Sequence, residues 1–211
     1  MTKPLVSIDV GGTLGHAEGP SLAEILGRQS PLGAAEARRI MRQMLHTQPS
    51  LSPAIVADLC AALRIPESAF PPAIQAQPLK LVPGAVTALR AMSQHATVVT
   101  LSNVTCAEAD TDRLRQLLGP WVTDHFPSCR IGHAKPDPDA FRFVASACHA
   151  SIEDMIHIGD DWACDVIGAR AAGVTAIWLS RRRPAPDPNC STTTACSWPA
   201  ISPKPASTSP T

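Results

Sequence analysis

Apolar positions recur along the chain with two different periods, and the change between them divides it. Leu5–Ile8 is a short, nearly unbroken apolar run of the kind that fills a strand buried on both faces. Beyond it, Ile40, Met41, Met44 and Leu45 recur at helical spacing, as do Ile55, Leu59, Ala62 and Leu63. Ser30-Pro31 and Ser52-Pro53 each read as a helix N-cap followed by proline in the first turn. No strand-like alternation interrupts this stretch. It predicts a small all-helical insert over residues 15–79.

From residue 81 helix and strand alternate. Pro83-Gly84 opens a helix running to about residue 94. Strands are predicted over 97–101, 126–131, 155–158 and 174–179. Helices are predicted over 110–118, 138–149 and 162–172, the last stopped by Gly173. Ser151 and Asp154 form a capping pattern ahead of the third of these strands. Such alternation predicts an α/β fold, a Rossmann-like parallel sheet with helices on both faces. Its core is assigned to residues 1–14 and 80–183. Residues 184–211 carry seven prolines and ten serines or threonines, which predicts a disordered tail.

Composition narrows the function classes. The chain has 211 residues, 45% hydrophobic and 17% charged, with zero formal charge, so it can build a core. Nothing in that balance calls for nucleic acid or an anionic membrane. No apolar run approaches the roughly 18 residues of a membrane span. The first residues, Met-Thr-Lys-Pro, lack a signal-peptide pattern, and a cytoplasmic location is expected. Seven cysteines occur with no Cys-x-x-Cys pair, which favours reduced thiols over disulfides or zinc.

Ligands of an open parallel sheet bind at the carboxyl ends of its strands. The first strand ends at Asp9, followed by a glycine-rich turn and Thr13. The strand over 97–101 ends at Ser102-Asn103, and the strand over 155–158 at Asp160-Asp161, with Asp165 a turn further on. Lys135 precedes a proline, which disfavours helix and puts it in a loop. Carboxylates gathered at one point repel unless a cation neutralises them, and a hard cation with oxygen ligands is Mg²⁺. A lysine beside them suits an anionic phosphoryl group, to which Ser102 and Asn103 can donate. Taken singly, each residue has a plainer reading as a cap, a turn or a surface charge; their order and strand-end placement point to a site.

These residues resemble the motifs of the haloacid dehalogenase-like superfamily, most of whose members are Mg²⁺-dependent phosphatases. IDVGGTL resembles its first motif, usually Asp-x-Asp-Gly-Thr, and VVTLSN its second. IGHAKPDPDAF closely resembles the third and IHIGDDWACDVIGARAAGV the fourth. LVPGAVTALRAM resembles the helix that follows the family's helical cap, and the insert sits where that cap is found. The resemblance runs over about residues 4–180. It implies a phosphatase of small phosphorylated metabolites working through an aspartyl phosphate. Asp9 would be the nucleophile, while Ser102 and Lys135, with Asn103 and Thr13, would hold the phosphoryl group. Asp9, the Gly11 carbonyl and Asp160 would hold Mg²⁺, supported by Asp161 or Asp165.

Gly11 departs from the family pattern, in which an aspartate at that position protonates the leaving oxygen and activates water. Losing a general acid–base costs about 10²- to 10⁴-fold in rate. Three readings stay open: a weakened phosphatase, a non-catalytic binder of a phosphorylated ligand, or different chemistry of the dehalogenase type. The acidic fourth motif speaks against dehalogenation. A phosphonate-cleaving relative would need a cap lysine, and residues 15–79 contain none. DVGGT alone also resembles a phosphate loop of sugar kinases and actin-like ATPases, but no second such loop follows. His16 and Glu18 are candidates to replace the missing acid. Arg28, Arg38, Arg39, Arg42 and Arg64 could meet an anionic substrate. Trp162 either packs on the core or lines the entrance.

Overall fold

The computed structural model describes residues 3–180, so the tail and Arg181–Arg183 lie outside the described residues. Five strands form a parallel sheet in the order β5-β4-β1-β6-β7. They are β1 (Leu5–Ile8), β4 (Thr97–Ser102), β5 (Asp124–Pro127), β6 (Met155–Gly159) and β7 (Thr175–Trp178). β1 occupies the centre, pairing with β4 on one side and β6 on the other. Both sheet faces are covered, which is why the strands read as apolar runs rather than alternating ones. Leu5, Val99, Leu101 and Met155 pack against α7 (Pro138–Ala147) and α8 (Gly168–Ala171) through Phe141, Val144 and Ala169. Val6, Ile8, Val98 and Ile158 face the other way, toward α4 (Ala85–Ser93) and α5 (Thr111–Leu118).

The chain leaves the core after β1 and returns to it through one two-stranded antiparallel ribbon. β2 (Gly15–Ala17) pairs with β3 (Leu79–Leu81), Gly15 opposite Leu81. A Cβ on Gly15 would lie 2.7 Å from the Lys80 carbonyl oxygen, so the close pairing requires glycine there. Between the two strands lie α1 (Leu22–Gln29), α2 (Ala34–Met44) and α3 (Pro53–Leu63). They bury a cluster of their own, including Leu26, Ile40, Met41, Leu59 and Leu63.

Four local expectations are corrected. The stretch expected to be all-helical begins with β2, too short a strand for alternation to show. Ser30 does not open a helix. Its hydroxyl donates to the Leu63 carbonyl at 2.7 Å, and its N–H closes α1 on Leu26, leaving Gly33 to cap α2. The strand expected over 126–131 ends at Pro127, where α6 (Ser128–Ile131) begins and the Ser128 hydroxyl exchanges bonds with the Val104 backbone. The helix expected over 162–172 is split into a π-helical turn, Trp162–Ile167, and α8. Ser52 caps α3 as expected, its Oγ accepting the Ile55 N–H. Cys60, Cys106, Cys129, Cys148 and Cys164 are free thiols, and no described helix is long and apolar enough to cross a membrane.

α8 packs tightly on the loop between α6 and α7. A Cβ on Gly168 would lie 2.7 Å from Pro136 Cα and 2.9 Å from its carbonyl oxygen, backbone atoms that cannot swing away. Gly168→Ala is therefore expected to destabilise the protein by about 1–3 kcal/mol, the usual cost of overpacking. Urea denaturation checks it, and an unchanged midpoint would mean that this loop yields freely.

Candidate active site

Strand alternation and register determine which side chains meet at the carboxyl end of the sheet. Along β1, Leu5, Ser7 and then Asp9 fall on the α7/α8 face, where Leu5 packs. The Asp9 N–H donates to the Ile158 carbonyl at 2.9 Å, so the backbone at Asp9 is tied to β6. β4 delivers Ser102 and, one residue on, Asn103. β6 delivers Asp160, and the π-helical turn swings Asp165 back beneath it, close against Gly159. A Cβ on that glycine would overlap the Asp165 carboxyl, at 2.2 Å.

Lys135 joins these parts. It comes from the loop before α7, followed by a cis peptide bond to Pro136, and its side chain is 1% exposed. The ammonium donates to Asp9 Oδ1 at 2.8 Å and to Asp165 Oδ1 at 2.6 Å. The Asn103 amide brackets the Lys135 backbone, donating to its carbonyl at 2.7 Å and accepting its N–H at 2.8 Å. Asp165 also accepts the Asp161 N–H at 2.8 Å, and its Oδ1 lies 3.1 Å from His157 Nε2. Ser7 Oγ lies 2.7 Å from His157 Nδ1, and Phe141 meets the ring edge-on.

Burial shapes the charges. It raises the Asp9 carboxyl well above the usual carboxylate range; the Lys135 ammonium opposes this and the Asp165 and Asp160 charges reinforce it. For Asp165 burial is outweighed by Lys135 and the His157 hydrogen bond, which hold it below that range. Burial and Lys135 both push His157 down, toward the neutral imidazole. Lys135 itself stays charged, since the two carboxylates outweigh the cost of its burial.

One carboxylate oxygen each from Asp9, Asp160 and Asp165 lies within 4.8 Å of the others. With all three ionised, three carboxylates against one ammonium leave two negative charges. An all-oxygen donor set with that surplus fits a divalent hard cation. Asp161 is not part of this convergence. Its Oδ1 caps the π-helical turn by accepting the Cys164 N–H at 2.8 Å. Thr13, expected at the phosphoryl group, is buried, with Oγ1 3.5 Å from Asp160 Oδ1, and does not line the cavity above the site. Asn103 lines that cavity, but its amide is engaged in positioning Lys135.

The cavity measures about 760 Å³ and has Asp9, Gly11, Ser102, Lys135 and Asp160 in its walls. From α2, one helical turn apart, come Arg38 and Arg42. Arg39 instead pairs with Glu36 and Gln43. Trp162 lines the cavity and packs edge-on against Trp178, centroids 4.9 Å apart, so both expectations for it hold. His16 and Glu18 are exposed and line no part of it. Ser7 and His157 did not emerge from the motifs, although both sit on the Asp9 face and are register partners across β1 and β6.

The haloacid dehalogenase-like hydrolase profile matches residues 4–173. The phosphoserine phosphatase of Thermus thermophilus is 38% identical over 80 residues, a match spanning 36% of this chain and 32% of that protein. The 2-haloacid dehalogenase of Pseudomonas syringae pv. Tomato superposes with a TM-score of 0.59 at 20% identity, covering 91% of this chain and 92% of its own. A HAD family enzyme of Bacteroides thetaiotaomicron, solved with magnesium and inorganic phosphate, gives 0.51 at 15% identity, covering 89% and 96%. At such identities these two structures speak for the fold. The chain belongs to the haloacid dehalogenase-like hydrolase family.

Proposed function

We propose that this hydrolase is a phosphatase of a small phosphorylated metabolite, with Asp9 as nucleophile. The carrying observation is the buried Lys135 ammonium, held between Asp9 and Asp165 on the floor of a cavity that Arg38 and Arg42 overlook. Positive groups at floor and wall suit an anionic substrate, and the phosphatase relative supports a phosphate ester. A bound Mg²⁺, held by Asp9, Asp160 and Asp165, would offset charge on the phosphoryl oxygens.

Asp9 Oδ1 is occupied by Lys135, while Oδ2 has no hydrogen-bond partner among the described residues. Oδ2 attacks phosphorus, the bond to the ester oxygen breaks, and the alcohol departs as its oxygen takes up a proton. Water then attacks phosphorus, releasing inorganic phosphate and restoring the carboxylate. Lys135, fixed in place before substrate arrives, and the Ser102 hydroxyl hold the transferring oxygens. Splitting the displacement in two is the benefit of a carboxylate nucleophile. With Gly11 at the acid–base position, both proton transfers go unassisted from there. That absence favours a second reading, a protein that binds a phosphorylated ligand and turns it over little or not at all.

Mg²⁺ titration by calorimetry is expected to give saturable binding that Asp160→Ala abolishes. Equal binding by the two proteins would remove Asp160 from the metal site.

Gly11→Asp separates the catalytic reading from the binding one. The φ of Gly11 is not in the left-handed region, unlike that of Gly12, and an added Cβ meets no atom within 4 Å. A Cβ is therefore accommodated there without backbone strain or overlap. Methyl phosphate turnover is expected to rise, by up to about 10²- to 10⁴-fold. The gain should be smaller for a nitrophenyl ester, whose leaving group departs readily as an anion. A folded, Mg²⁺-binding variant with no gain on either ester would put the binding reading first.

A further inference from the structure

Helix α2 presents three stripes of side chains, each with a different surrounding. Ala37, Ile40 and Met41 are buried in the insert's own core. Glu36, Arg39 and Gln43 form an exposed stripe that satisfies itself, Arg39 donating to both Glu36 oxygens and to Gln43. Ala35, Arg38 and Arg42 follow the same i, i+3, i+7 spacing, and all three line the cavity above Asp9. That spacing puts them on one helix face, so α2 turns this face toward the site.

Neither Arg38 nor Arg42 has a hydrogen-bond or ion-pair partner among the described residues, in contrast to Arg39. Arg38 is exposed and Arg42 half-buried, so a ligand in the cavity can reach both side chains. The charge of Arg42 is felt in the wall that the π-helical turn supplies. Burial raises the Cys164 thiol there, pushed up to about 12 with help from Asp161, and Arg42 opposes the rise. Burial and Arg42 together push His46, just beyond α2, toward the neutral form. Residues four apart on a helix carry Cβ atoms about 5–6 Å apart, and like charges so placed repel each other. An anion seated against both removes that repulsion. Each guanidinium offers a planar fork of N–H donors matched to the oxygens of a carboxylate or phosphate. The phosphoryl group to be transferred is provided for separately, by Lys135 and Ser102 on the core side of the cavity.

We infer that Arg38 and Arg42 form the subsite for a second anionic group, a carboxylate or a further phosphoryl group, carried on the leaving part of the substrate. The inference rests on the phosphate-ester reading for the group placed at Asp9, and it narrows the substrate class to esters that are anionic at both ends.

The test uses phosphonates, which have no ester oxygen to depart, so that binding is read apart from turnover. Phosphonoacetate, 3-phosphonopropanoate and 4-phosphonobutanoate are titrated by calorimetry into the full chain with Mg²⁺ present, each beside the alkylphosphonate of equal carbon number. The α,ω-bisphosphonates of the same spans form the second arm. At one length or more, the doubly anionic ligand is expected to bind at least about tenfold more tightly than its alkyl counterpart, the worth of a charge-assisted hydrogen bond. Arg38→Gln and Arg42→Gln should each lose most of that preference. A preference shown by one arm alone supports the subsite and names the anion it takes. Equal binding at every length, or a preference that survives in both variants, would overturn the inference. Failure of every phosphonate to bind, the alkyl ones included, would remove the phosphate reading and the subsite with it. A preference for the doubly anionic ligands together with no turnover of any ester would support the subsite and strike at the catalytic reading alone.

Discussion

A lysine ammonium withdrawn from water must find opposite charge within a few ångströms, and Lys135 finds it on residues far apart in the chain. Asp9 lies 126 positions away and Asp165 lies 30. The triad thus holds together the end of β1, the loop before α7 and the turn after β6. Leaving such a buried charge without its partner costs about 3–5 kcal/mol, so the site and the stability of this end of the sheet are coupled. The same burial serves chemistry. The ammonium was desolvated when the chain folded, so a phosphoryl group meets a charge already stripped of water and fixed in direction. Asn103 and Gly168 belong to this device although neither is charged. One grips the Lys135 backbone, and the other lets α8 close against the loop that carries it.

The sheet repeats one motif on its two faces. Ser7 and His157 are register partners on the α7/α8 face, and Thr100 and His125 are register partners on the α4/α5 face. In each pair a hydroxyl fixes one nitrogen of a buried, neutral imidazole. They differ in what the other nitrogen does. That of His157 meets Asp165 and so supports the ion pair. That of His125 is buried and meets no group of the described chain. A shared strand geometry therefore yields a supporting contact on one face and a buried, unpaired nitrogen on the other.

How much of this was legible depended on where each constraint originates. Asp9, Lys135, Asp160 and Asp165 could be read because strand ends and a pre-proline loop are local features, and parallel topology brings them together. The roles of Thr13, Asn103 and Asp161 could not, since sequence does not say whether a polar side chain bonds a ligand, a neighbour or the backbone. Asn103 turns to the Lys135 backbone and Asp161 to the Cys164 N–H. Ser30 misled for a similar reason, its hydroxyl being claimed by a carbonyl 33 residues away. The ribbon of β2 and β3 escaped notice because three residues cannot display a period. His46 had no signal at all, because the burial of its Nδ1 arises from tertiary packing that no local pattern reports.

The glycines of the first motif carry different constraints, and the difference bears on function. Gly12 has a φ of +80°, and a Cβ there would lie 2.4 Å from the Asp160 carboxylate, so backbone and packing both require it. Gly11 has neither constraint, and a Cβ there would meet no atom within 4 Å. Stability alone therefore gives no reason for glycine at position 11. What an aspartate would change there is the space and the charge. It would narrow the cavity that Gly11 lines, and it would add a fourth carboxylate to a group whose three carboxylates already outnumber its one ammonium.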